Sequence, residues 1–167
     1  MEKAGEDQRQ KYVRLLWIGG MVFLIDQITK GIVLSQLSLH STIPVIDGLF
    51  NFTHVQNPGG AFGFLAGESQ MIRSIVFLFI STMALVVILY FYHTTPLSHA
   101  MLSSAFALIF GGAAGNLLDR VRTGSVTDFL DFYIGQYHWP AFNVADSAIC
   151  VGVVIFGIHV LFKKMPD

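Results

Sequence analysis

The chain has 167 residues, 53% hydrophobic and only 13% charged, with a mean hydropathy of +0.61 and a formal net charge of −1. That length suits one ordinary domain, but a water-soluble domain needs a polar surface that this composition does not supply, and the near-neutral charge argues against nucleic acid as a partner. The single cysteine, Cys150, excludes an intramolecular disulfide framework.

Four segments approach the roughly 20 apolar residues that cross a bilayer as a helix. The first runs from about Leu15 to Leu34, behind the basic residues Lys3, Arg9, Lys11 and Arg14. No small-residue cleavage site follows it; Asp26-Gln27-Ile28-Thr29-Lys30 does, so it reads as a retained span rather than a removed signal. Within the outer segment 35–70, residues 48–57 alternate aromatic and β-branched with polar side chains and run into Asn57-Pro58-Gly59-Gly60, the pattern of a strand closed by a turn. The second span, Met71 to Tyr92, carries only Arg73 near its start. The connection His93 to Pro96 is expected to carry nothing chemical. The third span, Leu97 to Leu118, ends in Gly111-Gly112-Ala113-Ala114-Gly115, a small-residue spacing that lets helices approach closely. In the outer segment 119–140, residues 125–129 read as a second strand, and Tyr133, Tyr137 and Trp139 suit the headgroup level. The fourth span, Ala141 to Phe162, has Asn143 and Asp146 in its first turns and Lys163 and Lys164 behind it.

The expectation is a single membrane-embedded domain with an all-α core, because only closed helices satisfy the backbone in lipid, and a small sheet at the membrane surface. Six of the ten basic residues flank the two tails, so both termini are expected in the cytoplasm.

Alternating helix directions then bring Asp26, Asn57, Asn116, Asp119, Arg120, Asp128, Asn143 and Asp146 into one layer near the outer interface, with Asn116 closing the third helix and Asp119 and Arg120 following it. Ionisable groups in a span cost roughly 2.5–3.5 kcal/mol at mid-bilayer and mark function, yet several have purely structural readings. Asp26 and Lys30, four apart on a helix, pair with each other. Asp119 ends its helix in a salt bridge to Arg120. Asn143 caps the fourth helix, which leaves Asp146 unexplained by capping alone. Cys150, one turn past Asp146 and between Ile149 and Val151, reads as a buried, inert thiol, and His159 as a packed residue.

Two carboxylates held close share a proton: the ionised one deprotonates water, the protonated one polarises a peptide carbonyl. Such chemistry needs no metal or cofactor. The chain has no His-Glu-x-x-His, no Gly-x-Ser-x-Gly and no Gly-x-Gly-Asp of the presenilin or prepilin-peptidase kind. A transporter or channel would spread its ionisable residues over several depths; here the second span and the inner halves of the others are nearly bare of charge.

Five ordered blocks carry a family resemblance: residues 26–30, Asn57-Pro58-Gly59-Gly60-Ala61-Phe62-Gly63, residues 111–120 ending Asn116-Leu117-Leu118-Asp119-Arg120, Gly124-Ser125-Val126-Thr127-Asp128-Phe129, and Ala141-Phe142-Asn143-Val144-Ala145-Asp146-Ser147. With these the chain resembles the lipoprotein signal peptidases (signal peptidase II) over nearly its whole length. Thr127 and Gly60 depart slightly from the pattern, and the acidic tail of Glu2, Glu6 and Asp7 lies outside it. The resemblance implies an aspartic endopeptidase with Asp128 and Asp146 as its dyad; spacing alone leaves Asp128 and Asp131 equivalent. It implies supporting or substrate-binding roles for Asp26, Lys30, Asn57, Gly63, Asn116, Asp119, Arg120 and Asn143, with Asn57 and Arg120 on substrate backbone or lipid headgroup and Asn116 and Asn143 orienting the dyad. It further implies a β-cradle outside the membrane and a site at the outer face of the bacterial inner membrane. The implied substrate is a prolipoprotein cut before its diacylglyceryl-modified cysteine, and globomycin-type cyclic peptides are the implied inhibitors. A monomer without cofactor, metal or nucleic acid is expected.

Overall fold

A computed structural model of the chain describes residues 2–59 and 68–162. Four helices dominate it: α1 (Glu2–Gln36), α2 (Gln70–Thr94), α3 (Ala100–Thr123) and α4 (Val144–Phe162). All four contain stretches long and apolar enough to cross a membrane. Between α1 and α2 lie strands β1 (Thr42–Ile46) and β2 (Phe50–Asn57); between α3 and α4 lie β3 (Val126–Ile134) and β4 (Tyr137–His138). The strands form one antiparallel array in the order β1-β2-β3-β4.

The bundle is built around α3, of whose apolar window 56% is buried, against none of that of α2. Small residues permit this. A Cβ on Gly111 would strike the Gly19 carbonyl of α1, and one on Gly112 the Ala145 carbonyl of α4. Helix backbones therefore touch where the glycine run stands, the close packing that drives association in lipid without a hydrophobic effect. α2 packs chiefly on α3, and its remaining faces are apolar and exposed, as lipid contact requires.

The C-terminal end of α3 differs from expectation. α3 runs past Asn116 to Thr123, because Gly124 (φ 75°) supplies the left-handed C-terminal residue and donates its N–H to Arg120 O at 3.0 Å. Asp119 and Arg120 thus stand on the helix, not after it. The connection His93 to Pro96 is a packing contact with α1. Lys11 is buried there and donates Nζ to His93 O at 2.5 Å and Thr95 O at 2.7 Å, while Tyr92 Oη donates to Lys11 O. The orphan carbonyls and negative dipole end of α2 are so satisfied by a cation from α1. Nearby, buried His159 shares a 3.3 Å hydrogen bond with His99.

From Lys11 to Asp26 is fifteen residues of α1, about 22 Å of helix. Lys11 therefore stands toward one end of the bundle, and Asp26 toward the other, where the sheet lies. Lys163, Lys164 and Gly63 lie outside the described residues.

Candidate active site

Asp128 and Asp146 arrive from different elements. Asp128 projects from β3, paired with Val55 of β2 beside a bulge in which Thr53 and His54 together face Phe129. Asp146 stands in the first turn of α4. One residue joins them: Asn143 donates its side-chain amide to Asp128 Oδ1 at 2.7 Å and its backbone N–H to Asp146 Oδ2 at 3.2 Å. Asn143 Oδ1 in turn accepts Asp146 N–H at 2.9 Å. This is a capping box, with Asn143 as N-cap and Asp146 three residues on, so capping accounts for one Asp146 oxygen after all. The other, Oδ1, accepts Asn116 Nδ2 at 2.7 Å.

Three amides are pinned so that their NH₂ groups face the carboxylates. Lys30 Nζ can only donate, and it donates to Asn116 Oδ1 at 2.9 Å; the Asn116 NH₂ must then face Asp146. Gly59 N–H donates to Asn57 Oδ1 at 2.9 Å, which turns Asn57 Nδ2 onto Asp128 Oδ2 at 3.0 Å. The Asp146 N–H fixes Asn143 in the same way.

Beneath the pair lies a buried ionic cluster. Lys30 Nζ is 2.8 Å from Asp26 Oδ2 and 2.8 Å from Asp119 Oδ2. The i, i+4 pairing of Asp26 with Lys30 is present, but Asp119 pairs with Lys30 rather than with its neighbour Arg120. Asp26 Oδ1 also accepts the Ala145 N–H at 3.0 Å, satisfying a donor of the α4 N-terminus from another helix. The bare hydrogen of Gly115 makes room, since a Cβ there would sit 2.5 Å from Asp26 Oδ2.

Asp131, the alternative to Asp128, is engaged elsewhere: it accepts from Asn51 Nδ2 and from His138 Nδ1, both at 2.8 Å. Arg120 Nη1 donates to Asn116 O at 3.3 Å, and its guanidinium lies over the Phe77 ring at 5.9 Å. Cys150 is exposed on the outside of α4 and is not buried; the face of α4 turned to α3 runs through Ala145, Ala148 and Gly152.

Burial pushes the Asp128 carboxyl up from the ordinary 3.8 to about 7; the Asn57 hydrogen bond opposes this, and the charge of Asp146 adds to it. Among the described residues no group of three or more His, Cys, Asp or Glu is arranged to hold a metal ion.

Sequence reasoning passes over Gln27, whose Nε2 lies 3.1 Å from both Asp26 Oδ2 and Asp119 Oδ1. Its place inside the 26–30 block is the available signal. It also passes over Gln56, which accepts from Ser125 Oγ at 2.7 Å, donates to Thr127 Oγ1 at 3.0 Å and meets His54 Nε2 at 3.2 Å. That network ties β2 to β3 next to Asp128.

A sequence model of the family described as signal peptidase (SPase) II matches residues 18–162. The lipoprotein signal peptidase of Desulforapulum autotrophicum is 54% identical over 155 residues, 93% of this chain and 96% of that protein. Those of Syntrophus aciditrophicus and Geobacter sulfurreducens are 45% and 48% identical, over 93% and 88% of this chain and 97% and 89% of theirs. A bacterial membrane enzyme solved by the in meso method at 2.3 Å superposes with a TM-score of 0.78 at 33% identity, covering 92% of this chain and 93% of that one. A second such structure, at 1.9 Å, gives 0.79 at 31% identity, covering 90% and 94%.

Proposed function

The chain belongs to the signal peptidase II family of bacterial membrane proteases, and from that premise we propose that it removes signal peptides from diacylglyceryl-modified prolipoproteins, cutting before the lipidated cysteine with Asp128 and Asp146 acting on one water. The observation that carries this reading is Asn143, which hydrogen-bonds one carboxylate through its side chain and the other through its backbone.

In the resting site the pair holds one proton. Burial favours keeping that proton, lifting the Asp128 carboxyl to about 7; with the proton on Asp128, Asp146 is the base. Asp146 takes a proton from water as the water oxygen attacks the scissile carbonyl; Asp128 gives its proton to the carbonyl oxygen. The tetrahedral intermediate then collapses: Asp128 recovers a proton from the hydroxyl as the carbonyl re-forms, and Asp146 delivers its proton to the departing cysteine nitrogen. The C–N bond breaks, and the pair returns to one proton. Asn57, Asn116 and Asn143 orient the carboxylates. Lys30, Asp26 and Asp119 hold Asn116 and the start of α4 in place. Arg120 binds substrate backbone or headgroup.

The site stands at the outer face of the inner membrane, with both termini cytoplasmic. A lipid-bearing substrate presents its scissile bond at that depth. Supporting this are the sheet and Asp26 at one end of α1 and the basic residues Arg9, Lys11 and Arg14 at the other. Globomycin-type cyclic peptides would compete for the site of a monomeric enzyme. The test is processing of a diacylglyceryl-modified prolipoprotein, followed by gel shift. Asp128→Asn and Asp146→Asn should each abolish the shift while the protein still inserts and melts cooperatively. Either variant retaining near-normal turnover would sink the reading.

A further inference from the structure

Phe77 of α2 stands where two arms of the site meet. Its ring lies 5.9 Å from the Arg120 guanidinium carbon. The same ring lies against Gly59, so closely that a Cβ there would overlap it. Gly59, at φ 106°, donates the N–H that turns Asn57 onto Asp128. Among the described residues Arg120 makes one long hydrogen bond, from Nη1 to Asn116 O at 3.3 Å, and its buried Nε has no hydrogen-bond partner; the charges of Asp146, Asp128 and Asp119 attract it without a direct ion pair.

On the reading of Arg120 as a substrate-binding cation, we propose that Phe77 is a positioning residue, its ring holding the Arg120 guanidinium by cation–π attraction while buttressing the Gly59 turn behind Asn57. One long hydrogen bond and unpaired carboxylate attraction leave the tilt of the guanidinium loosely set, and the negative face of the ring supplies the direct contact that fixes it. An aliphatic side chain of similar bulk keeps the packing against Gly59 but lacks that face. Tyrosine keeps both.

The experiment measures kcat and KM of the full-length enzyme on a diacylglyceryl-modified prolipoprotein for wild type, Phe77→Leu, Phe77→Tyr, Arg120→Lys and the Phe77→Leu/Arg120→Lys double variant, with a melting midpoint for each. Loss of the cation–π contact is expected to raise KM about two- to thirtyfold in Phe77→Leu, with a smaller change in kcat. Phe77→Tyr should stay near wild type. On the Arg120→Lys background, Phe77→Leu should add little, because the two residues act as a unit. The proposal is overturned if Phe77→Leu behaves as wild type while Arg120→Lys is impaired, if the two effects multiply independently, or if tyrosine does no better than leucine. A lowered melting midpoint with equal damage on both backgrounds overturns it too, as a purely structural role. An unchanged KM in Arg120→Lys is a distinct result that removes the reading of Arg120 itself, and the proposal with it.

Discussion

Replacing Lys30 with methionine tests the ionic cluster under the dyad. Lys30 is only 2% exposed and lies 2.8 Å from each of two carboxylates, of which Asp26 is fully buried. Methionine fills most of the volume but leaves both carboxylates facing one another without a cation. Asp26 would keep Gln27 and the Ala145 N–H; Asp119 would keep Gln27 and the Thr127 N–H. Breaking a buried ion pair on one side costs about 3–5 kcal/mol. For a chain of this size that corresponds to a fall of about 6–20 °C in melting midpoint. Activity should fall further than stability, because Asn116 loses the shorter of the two hydrogen bonds that fix its amide oxygen and keeps only the Asn143 amide at 3.2 Å, so its hold on Asp146 loosens. The assay is thermal unfolding of the purified protein in detergent, beside prolipoprotein processing at a temperature where the variant is folded. The triple variant Asp26→Asn/Lys30→Met/Asp119→Asn removes the unpaired charges and should recover much of the lost stability. If Lys30→Met melts within a degree or two of wild type, or the triple variant melts no higher than Lys30→Met, the cluster is not the buried, compensated unit described.

Three further expectations concern the dyad and the packing that holds it. Processing should fall about tenfold per pH unit above about 7, as the Asp128 proton is lost; a pH–rate profile flat into the alkaline range would contradict this. The same group gives a stability signature. Its folded value, about 7, exceeds the ordinary 3.8, so the folded state holds the proton longer than the unfolded one. Its stabilising contribution is therefore full below about 4 and is lost as pH rises toward 7 and past it. Asp128→Asn should flatten that part of the stability–pH curve, measured by chemical unfolding at fixed pH steps. Gly112→Ala should cost about 1–3 kcal/mol by overpacking and depress kcat, because the new methyl meets the Ala145 carbonyl, one residue from Asp146; a variant with normal melting and turnover would show that the α3–α4 contact has slack.

Hydropathy makes the four spans legible because lipid imposes one simple demand on every residue of a spanning surface. It fails at the end of α3. The polar run Asn116, Asp119, Arg120 looks like an exit from the membrane, whereas Asn116 and Asp119 stay in the helix because Lys30 and the Asp146 carboxylate satisfy them from other elements. Partners distant in sequence explain the other misses. Nothing local links Lys11 to the α2 C-terminus or Asp26 to the α4 N-terminus. Nor does local sequence show that Asp131 is absorbed by Asn51 and His138, which is what separates it from Asp128. Four residues make roughly one helical turn, which puts Cys150 on the Asp146 face by spacing, but the buried stripe of α4 is narrow and Cys150 lies outside it.

The arrangement also answers why the donors around the dyad are amides while the ammonium stands one hydrogen bond away. A cation in direct contact would favour the charged form of both carboxyls and strip the pair of the proton that the proposed mechanism needs. Asn57, Asn116 and Asn143 fix geometry without supplying a full charge. Lys30 makes no direct hydrogen bond to Asp146 and is linked to it through the Asn116 amide, and among the influences on Asp128 its charge ranks behind burial, the asparagine hydrogen bonds and Asp146. Neutral donors near the carboxylates and a compensated cation beneath them fix the geometry of the site in a way that suits the proposed shared proton.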